Sequence, residues 1–126
     1  MVLILENFFD PFDTPASFER LLDGLDSVKV HVDVGHCNMS PGGNGTESFF
    51  KKFGDRIVHM HFSDNYGRVD AHNSIGDGNI NWKKMVEVMI ANNYDATITM
   101  EVFTGNRDDL ISSKDKIIEI LGEAQK

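Results

Sequence analysis

This 126-residue sequence is short of cysteine, of proline and of basic residues. With Cys37 as the single thiol no internal disulfide can form, and a reducing, cytoplasmic compartment is the expected setting. The longest apolar run, Val2–Leu5, falls far below the roughly 20 residues that a membrane-spanning helix needs. No basic segment followed by an apolar one opens the chain, so a secretory leader is not expected. Twelve Lys and Arg stand against 20 Asp and Glu, a net charge of -8 that argues against a broad phosphate-binding surface. Heptads and low-complexity tracts are missing too. What is there, 40% hydrophobic and 25% charged, suits one globular domain over residues 1–126.

Periodicity divides the chain into four β-prone runs, each followed by a loop and a helical stretch. The runs are Val2–Glu6, Val28–Asp33, Arg56–Phe62 and Ala96–Phe103. The expected helices cover Pro15–Leu25, capped by Thr14, then Thr46–Phe53, a stretch from about Asn79 through Asn93, and Ser113–Ala124. Alternation at this spacing implies right-handed crossovers and parallel strands. Within the strands only one face is apolar. Val28, Val30 and Val32 oppose Lys29, His31 and Asp33; Val58, Met60 and Phe62 oppose Ile57, His59 and His61; Ile98, Met100 and Val102 oppose Thr97, Thr99 and Glu101. A parallel sheet covered by helices on both sides would be apolar on both. A barrel wall, with helices outside and a polar lumen inside, fits instead. A complete (β/α)₈ barrel needs about 250 residues. The expectation is therefore an α/β half-barrel of four parallel βα units, a fragment or a protomer completed by another chain.

Each expected strand ends near a good metal ligand: Glu6, Asp33, His61 and Glu101. Barrel active sites are built at that end. Three carboxylates and one imidazole form a hard donor set, suited to Mn²⁺ or Mg²⁺ and tolerant of Co²⁺ or Zn²⁺. Without a cation such a cluster repels itself. His36, three residues past Asp33, can reach the same centre, and Asp70 and His72 form an Asp-x-His in the loop after the third strand. The Gly76-Asp77-Gly78 that follows is a tight turn into a helix, since it lacks the third glycine and preceding strand of a dinucleotide fingerprint. His31 and His59, one layer deeper, are expected to be buried and hydrogen-bonded. Trp82 should pack on the barrel wall and Phe49, Phe50 and Phe53 in the core, with Lys51, Lys52, Lys83 and Lys84 on solvated helix faces.

Four segments together resemble the xylose isomerase-like TIM-barrel superfamily, which includes sugar phosphate isomerases/epimerases and endonuclease IV-type apurinic endonucleases. They are Val32–His36, His59–Asn65, Arg68–Ile80 and Thr99–Val102. The resemblance spans the chain as the carboxyl-terminal half-barrel, strands five to eight. In the isomerases and epimerases it implies one divalent metal on Glu6, Asp33, His61 and Glu101, with the two glutamates as acid/base pair and an enediolate between the proton transfers. His36, and with it Asp70 and His72, would contact a sugar or sugar phosphate. In the endonucleases the same positions, with His36, Asp70 and His72, imply part of a trinuclear zinc cluster. Charge favours the sugar over nucleic acid: Arg68 and Arg107 are the only useful loop cations, against Asp10, Asp13, Asp64, Asp77, Asp108 and Asp109. A third expectation is a metal-binding half-barrel without turnover, unless a homodimer or a separate amino-terminal half closes the barrel.

Overall fold

The computed structural model describes residues 1–126. Strand β1 (Ile4–Glu6) leads to helix α1 (Pro15–Leu21), β2 (Lys29–Asp33), the short helix α2 (Val34–Asn38) and α3 (Thr46–Phe53). A 3₁₀ turn over Gly54–Arg56 enters β3 (Ile57–Phe62), followed by α4 (Trp82–Ala91), β4 (Thr97–Met100) and α5 (Arg107–Ala124). The four strands form one sheet in the order β1-β2-β3-β4, every pair parallel. Sequential order with uniform direction is an arc of a barrel wall, as the one-sided polarity of the strands requires. No helix is long and apolar enough to cross a membrane.

Val30, Val32, Met60 and Phe62 are fully buried and join Phe18, Phe49, Trp82, Met85, Met89 and Ile117 in one apolar cluster. All five α-helices contribute to that cluster, α2 through Val34 and Cys37, so the helices cover the apolar side of the sheet. Phe49, Phe50 and Phe53 lie in it as expected, and Trp82 packs its ring 4.9 Å from that of Phe62. Of the four lysines expected on solvated faces, three pair with carboxylates, Lys51 and Lys84 with Glu47 and Lys52 with Glu19.

Several boundaries differ from expectation for local reasons. Helix α1 starts where Thr14 and Pro15 place it, with Thr14 Oγ1 accepting from Ser17 N–H at 3.2 Å. It ends at Leu21 rather than Leu25, because the chain turns through Gly24 at φ +70°, a conformation that glycine adopts without strain. Helix α2 was not expected; Asp33 Oδ1 starts it by accepting from His36 N–H at 2.8 Å. Helix α5 begins at Arg107, ahead of Ser113, with Asn106 as cap and Asp108 and Asp109 in the positive first turn. Ile57 also departs from the expected alternation. The register passes from Val30↔Ile57 to His31↔His59, so a bulge at Val58 turns Ile57 into the apolar cluster.

Strands β1 and β4 have a neighbour on one side only. Beside the β1 edge, Val2 and Leu3 are about two-thirds exposed, at 64% and 65%.

Candidate active site at the carboxyl ends of the strands

Parallel strands in register bring their last residues to one rim. Glu6 ends β1, Asp33 ends β2, His61 is the penultimate residue of β3, and Glu101 follows β4, held by its N–H to Phe62 O at 2.9 Å. Their side chains converge on the imidazole of His61. Its Nδ1 lies 3.2 Å from Glu101 Oε2, 3.5 Å from Glu6 Oε1 and 3.6 Å from Asp33 Oδ2. None of these contacts has hydrogen-bond geometry, and His61 Nδ1 and Asp33 Oδ2 are buried without a hydrogen-bond partner.

The charges follow from this crowding. Burial and the neighbouring Asp33 carboxylate raise the Glu6 carboxyl above its ordinary range. Burial opposes charge on Asp33 as well, yet His61 and His36 outweigh it and hold Asp33 below that range. For His61 burial opposes the proton, and Asp33, Glu101 and Glu6 together overcome it and raise the imidazole. One proton on His61 thus supplies positive charge to three carboxylates. Ligand atoms of Glu6, Asp33 and His61 all lie within 4.8 Å of one another. Two orphaned buried atoms facing each other among oxygen donors fit a hard divalent cation.

A second group adjoins the first. His36 is buried, and its Nδ1 donates to Asn7 O at 2.9 Å. His72 Nδ1 donates to Glu101 O at 3.0 Å, and its ring stacks on Phe103. A carbonyl only accepts, so each Nδ1 carries a proton. A carboxylate also only accepts, so His36 Nε2 donates to Asp70. Although burial opposes the charge, Asp33, the Asn7 carbonyl, Asp70 and Glu6 together raise the His36 imidazole. Both Nε2 atoms face one oxygen, Asp70 Oδ2, at 3.3 Å from His36 and 3.0 Å from His72. Asp70 therefore links the residues after β2 and β3 to the glutamate after β4.

All seven sequence-derived site residues, Glu6, Asp33, His36, His61, Asp70, His72 and Glu101, come together at this rim. Two other residues are missing from that set. Asn7 is fully buried and pairs with the backbone of Asp33. The only sequence signal for it is its place directly after Glu6 at the strand end. Asp64, taken as a solvated loop acid, is fully buried. Its carboxylate accepts from Asn65, Gly76 and Ile80 N–H and from Trp82 Nε1, closing the long β3–α4 loop that carries Asp70 and His72. It adds nothing to the exposed surface charge. The deeper histidines also differ from expectation. His31 is buried, but its Nε2 has no hydrogen-bond partner, and His59 is only half-buried, bonded to Thr97 and Thr99 hydroxyls.

Known proteins share this arrangement of strands. A D-tagatose 3-epimerase-like protein of known structure superposes with a TM-score of 0.83 at 30% identity, over 100% of this chain and 50% of that one. An L-ribulose 3-epimerase superposes with a TM-score of 0.78 at 18% identity, over 99% and 48%. The uncharacterized protein MJ1311 of Methanocaldococcus jannaschii is 35% identical over 112 residues, 86% of this chain and 37% of that protein. The chain thus spans half or less of the length of these relatives. A family model described as xylose isomerase-like TIM barrel matches residues 1–121, and the chain belongs to that family.

Proposed function

We propose that the chain is the carboxyl-terminal half-barrel, strands five to eight, of a divalent-cation-dependent sugar or sugar-phosphate isomerase/epimerase. The observation that carries this reading is the convergence of Glu6, Asp33 and Glu101 on His61 Nδ1 at 3.2–3.6 Å. These four residues hold the cation, with Mn²⁺ or Mg²⁺ best matched and Co²⁺ or Zn²⁺ accepted. Once bound, the cation supplies Lewis acidity to neighbouring carbonyl and hydroxyl oxygens of the sugar. Glu6 ends one edge strand and Glu101 follows the other, on opposite sides of His61, and so they can take and return a proton from opposite faces of a carbon placed between them. Burial and the Asp33 carboxylate favour the protonated form of Glu6. His36 holds a sugar oxygen, and Asp70 and His72 orient it. A second copy or an amino-terminal half-barrel completes the wall and the substrate pocket. The epimerase names of the structural neighbours support a small sugar as partner.

The test is solvent exchange. With Mn²⁺ and a ketohexose in D₂O, deuterium should enter the carbon next to the carbonyl, and the 3-epimer should accumulate. A metal-loaded protein that leaves the ketose unlabelled overturns the reading.

A second reading rests on Asp70 Oδ2, which lies between two imidazole nitrogens, His36 Nε2 at 3.3 Å and His72 Nε2 at 3.0 Å. It takes the rim as part of a multinuclear zinc centre of the endonuclease IV type. Two or three tightly bound zinc ions per chain and incision of an abasic-site duplex would establish it in place of the sugar chemistry.

A further inference from the structure

Beneath the carboxylates the lumen is lined by imidazoles rather than by aliphatic side chains. His31 lies two residues before Asp33 on β2, and His59 two before His61 on β3, with His31 and His59 directly paired in register. The ring centroids are 3.9 Å apart for His31–His61, 4.7 Å for His31–His59 and 5.2 Å for His59–His61. All three pairs are edge-to-face, at 65–82°, so no two of the rings are stacked. One nitrogen from each ring lies within 4.8 Å of the other two. Two nitrogens on one cation, each about 2.0–2.1 Å from it, stand roughly 3.3–4.2 Å apart, within reach of small side-chain rotations.

Two independent features point to a ligand there. His31 is buried at 6% exposure, and its Nε2 meets no hydrogen-bond partner, a costly arrangement for a polar atom. His59 is held by hydroxyls alone, Thr97 Oγ1 at 2.6 Å and Thr99 Oγ1 at 3.1 Å. A hydroxyl can donate or accept, so either nitrogen can be released while the other threonine keeps the ring oriented. His61 Nδ1 faces the carboxylates, which leaves Nε2 for this deeper set. With the rim also filled, ligation there releases the ring's last proton to solvent and makes His61 a bridging imidazolate.

We propose that His31, His59 and His61 form a second cation site on the floor of the lumen, one strand layer below the carboxylate cluster. Its all-imidazole donors select a borderline cation such as Zn²⁺, Ni²⁺ or Cu²⁺ over Mn²⁺ or Mg²⁺. The site shares His61 with the rim but needs no sugar chemistry, so it stands or falls apart from the proposed reaction.

The experiment adds Cu²⁺ to the protein saturated with diamagnetic Mg²⁺ and reads affinity by titration and bound nitrogens by electron paramagnetic resonance. Wild type should bind Cu²⁺ with three nitrogen couplings. His59→Gln should lose one coupling and weaken binding by at least about tenfold, the lower scale of losing metal-supporting contacts. His31→Gln should do the same, with a thermal melt to show that this buried substitution leaves the protein folded. If His31→Gln does not fold, His59→Gln alone decides. Unchanged affinity and couplings in His59→Gln overturn the proposal, as does binding lost instead with His36→Gln or His72→Gln. Failure of Mn²⁺ to bind Glu101→Gln bears on the rim site alone.

Discussion

The side-chain amide of Asn7 grips the backbone of Asp33 at both polar ends: its Oδ1 accepts from Asp33 N–H at 2.7 Å, and its Nδ2 donates to Asp33 O at 3.3 Å. Neighbouring strands are thereby tied where their ladder runs out, and the Asp33 carboxylate is aimed at His61. Asn7→Ala strands two buried backbone groups, at roughly 1–3 kcal/mol each in the limit of no rescuing water. Urea unfolding should show a lowered midpoint with unchanged slope, and Mn²⁺ affinity should fall even where the variant is fully folded. Full stability in the variant would mean that Asp33 is positioned by its strand alone.

Glu101 lies just beyond the end of β4 with its side chain 24% exposed, so Glu101→Gln removes a charge without opening a cavity. The melting temperature of the metal-free protein should hold or rise, because one of three crowded carboxylates is neutralised. Mn²⁺ affinity should drop by roughly tenfold or more, and deuterium exchange into the ketose should vanish. Exchange at the wild-type rate would remove Glu101 from the chemistry.

The reach of the sequence into this site was uneven. Period-2 alternation identified the lumen face of β2 and β4, because a side chain's face follows from its position as long as the pairing register is regular. Ile57 broke that rule, since the bulge at Val58 depends on pairing with β2 and leaves no local mark. The strand-end cluster of Glu6, Asp33, His61 and Glu101 was legible as a juxtaposition because parallel strands in register bring their last residues to one rim. Asn7 and Asp64 were not, since their roles arise from backbone groups distant in sequence, Asp33 for the first and Gly76 and Ile80 for the second. Helix α2 escaped because a five-residue helix carries no periodicity and is set by a single cap.

His31 gives the metal-free protein a signature in acid. Burial, then repulsion from His61 and His59, lowers its pKa from 6.5 to about 3. The unfolded chain takes up this proton below pH 6.5 while the folded one resists until about pH 3, so protonation favours unfolding throughout that window. The loss is about 1.4 kcal/mol per pH unit for a fully shifted group. With chelator present, the stability difference between wild type and His31→Gln should shift against the wild type as the pH is lowered from 6.5 to 4. A pH-independent difference would show that His31 titrates normally.

Cys37 is fully buried, and burial pushes its thiol up to about 12. At pH 8 the folded protein should therefore be inert to a disulfide reagent, and reaction should appear only as urea unfolds the chain. Prompt labelling of the native protein would place Cys37 at the surface.

Two glycines provide a matched comparison. A Cβ at Gly78 would press on the Asp64 carboxylate and the Asn65 carbonyl, whereas one at Gly42 meets nothing within 4 Å and no unusual φ. Gly78→Ala should cost roughly 1–3 kcal/mol through overpacking. Gly42→Ala should be neutral or stabilise by about 0.4–1 kcal/mol through the unfolded chain. Equal melting temperatures for the two would show that the loop around Asp64 yields freely.

The uniform direction of the strands also constrains any polypeptide that extends the sheet. A strand joining β1 or β4 in the same parallel sense must bring its carboxyl end to the level of Glu6 and Glu101. The turn that follows it then overhangs the same opening, whichever chain supplies it. The two exposed borders thus act as rulers: they set which end of an added segment faces the Glu6–Glu101 rim, and confine its side-chain chemistry to the mouth.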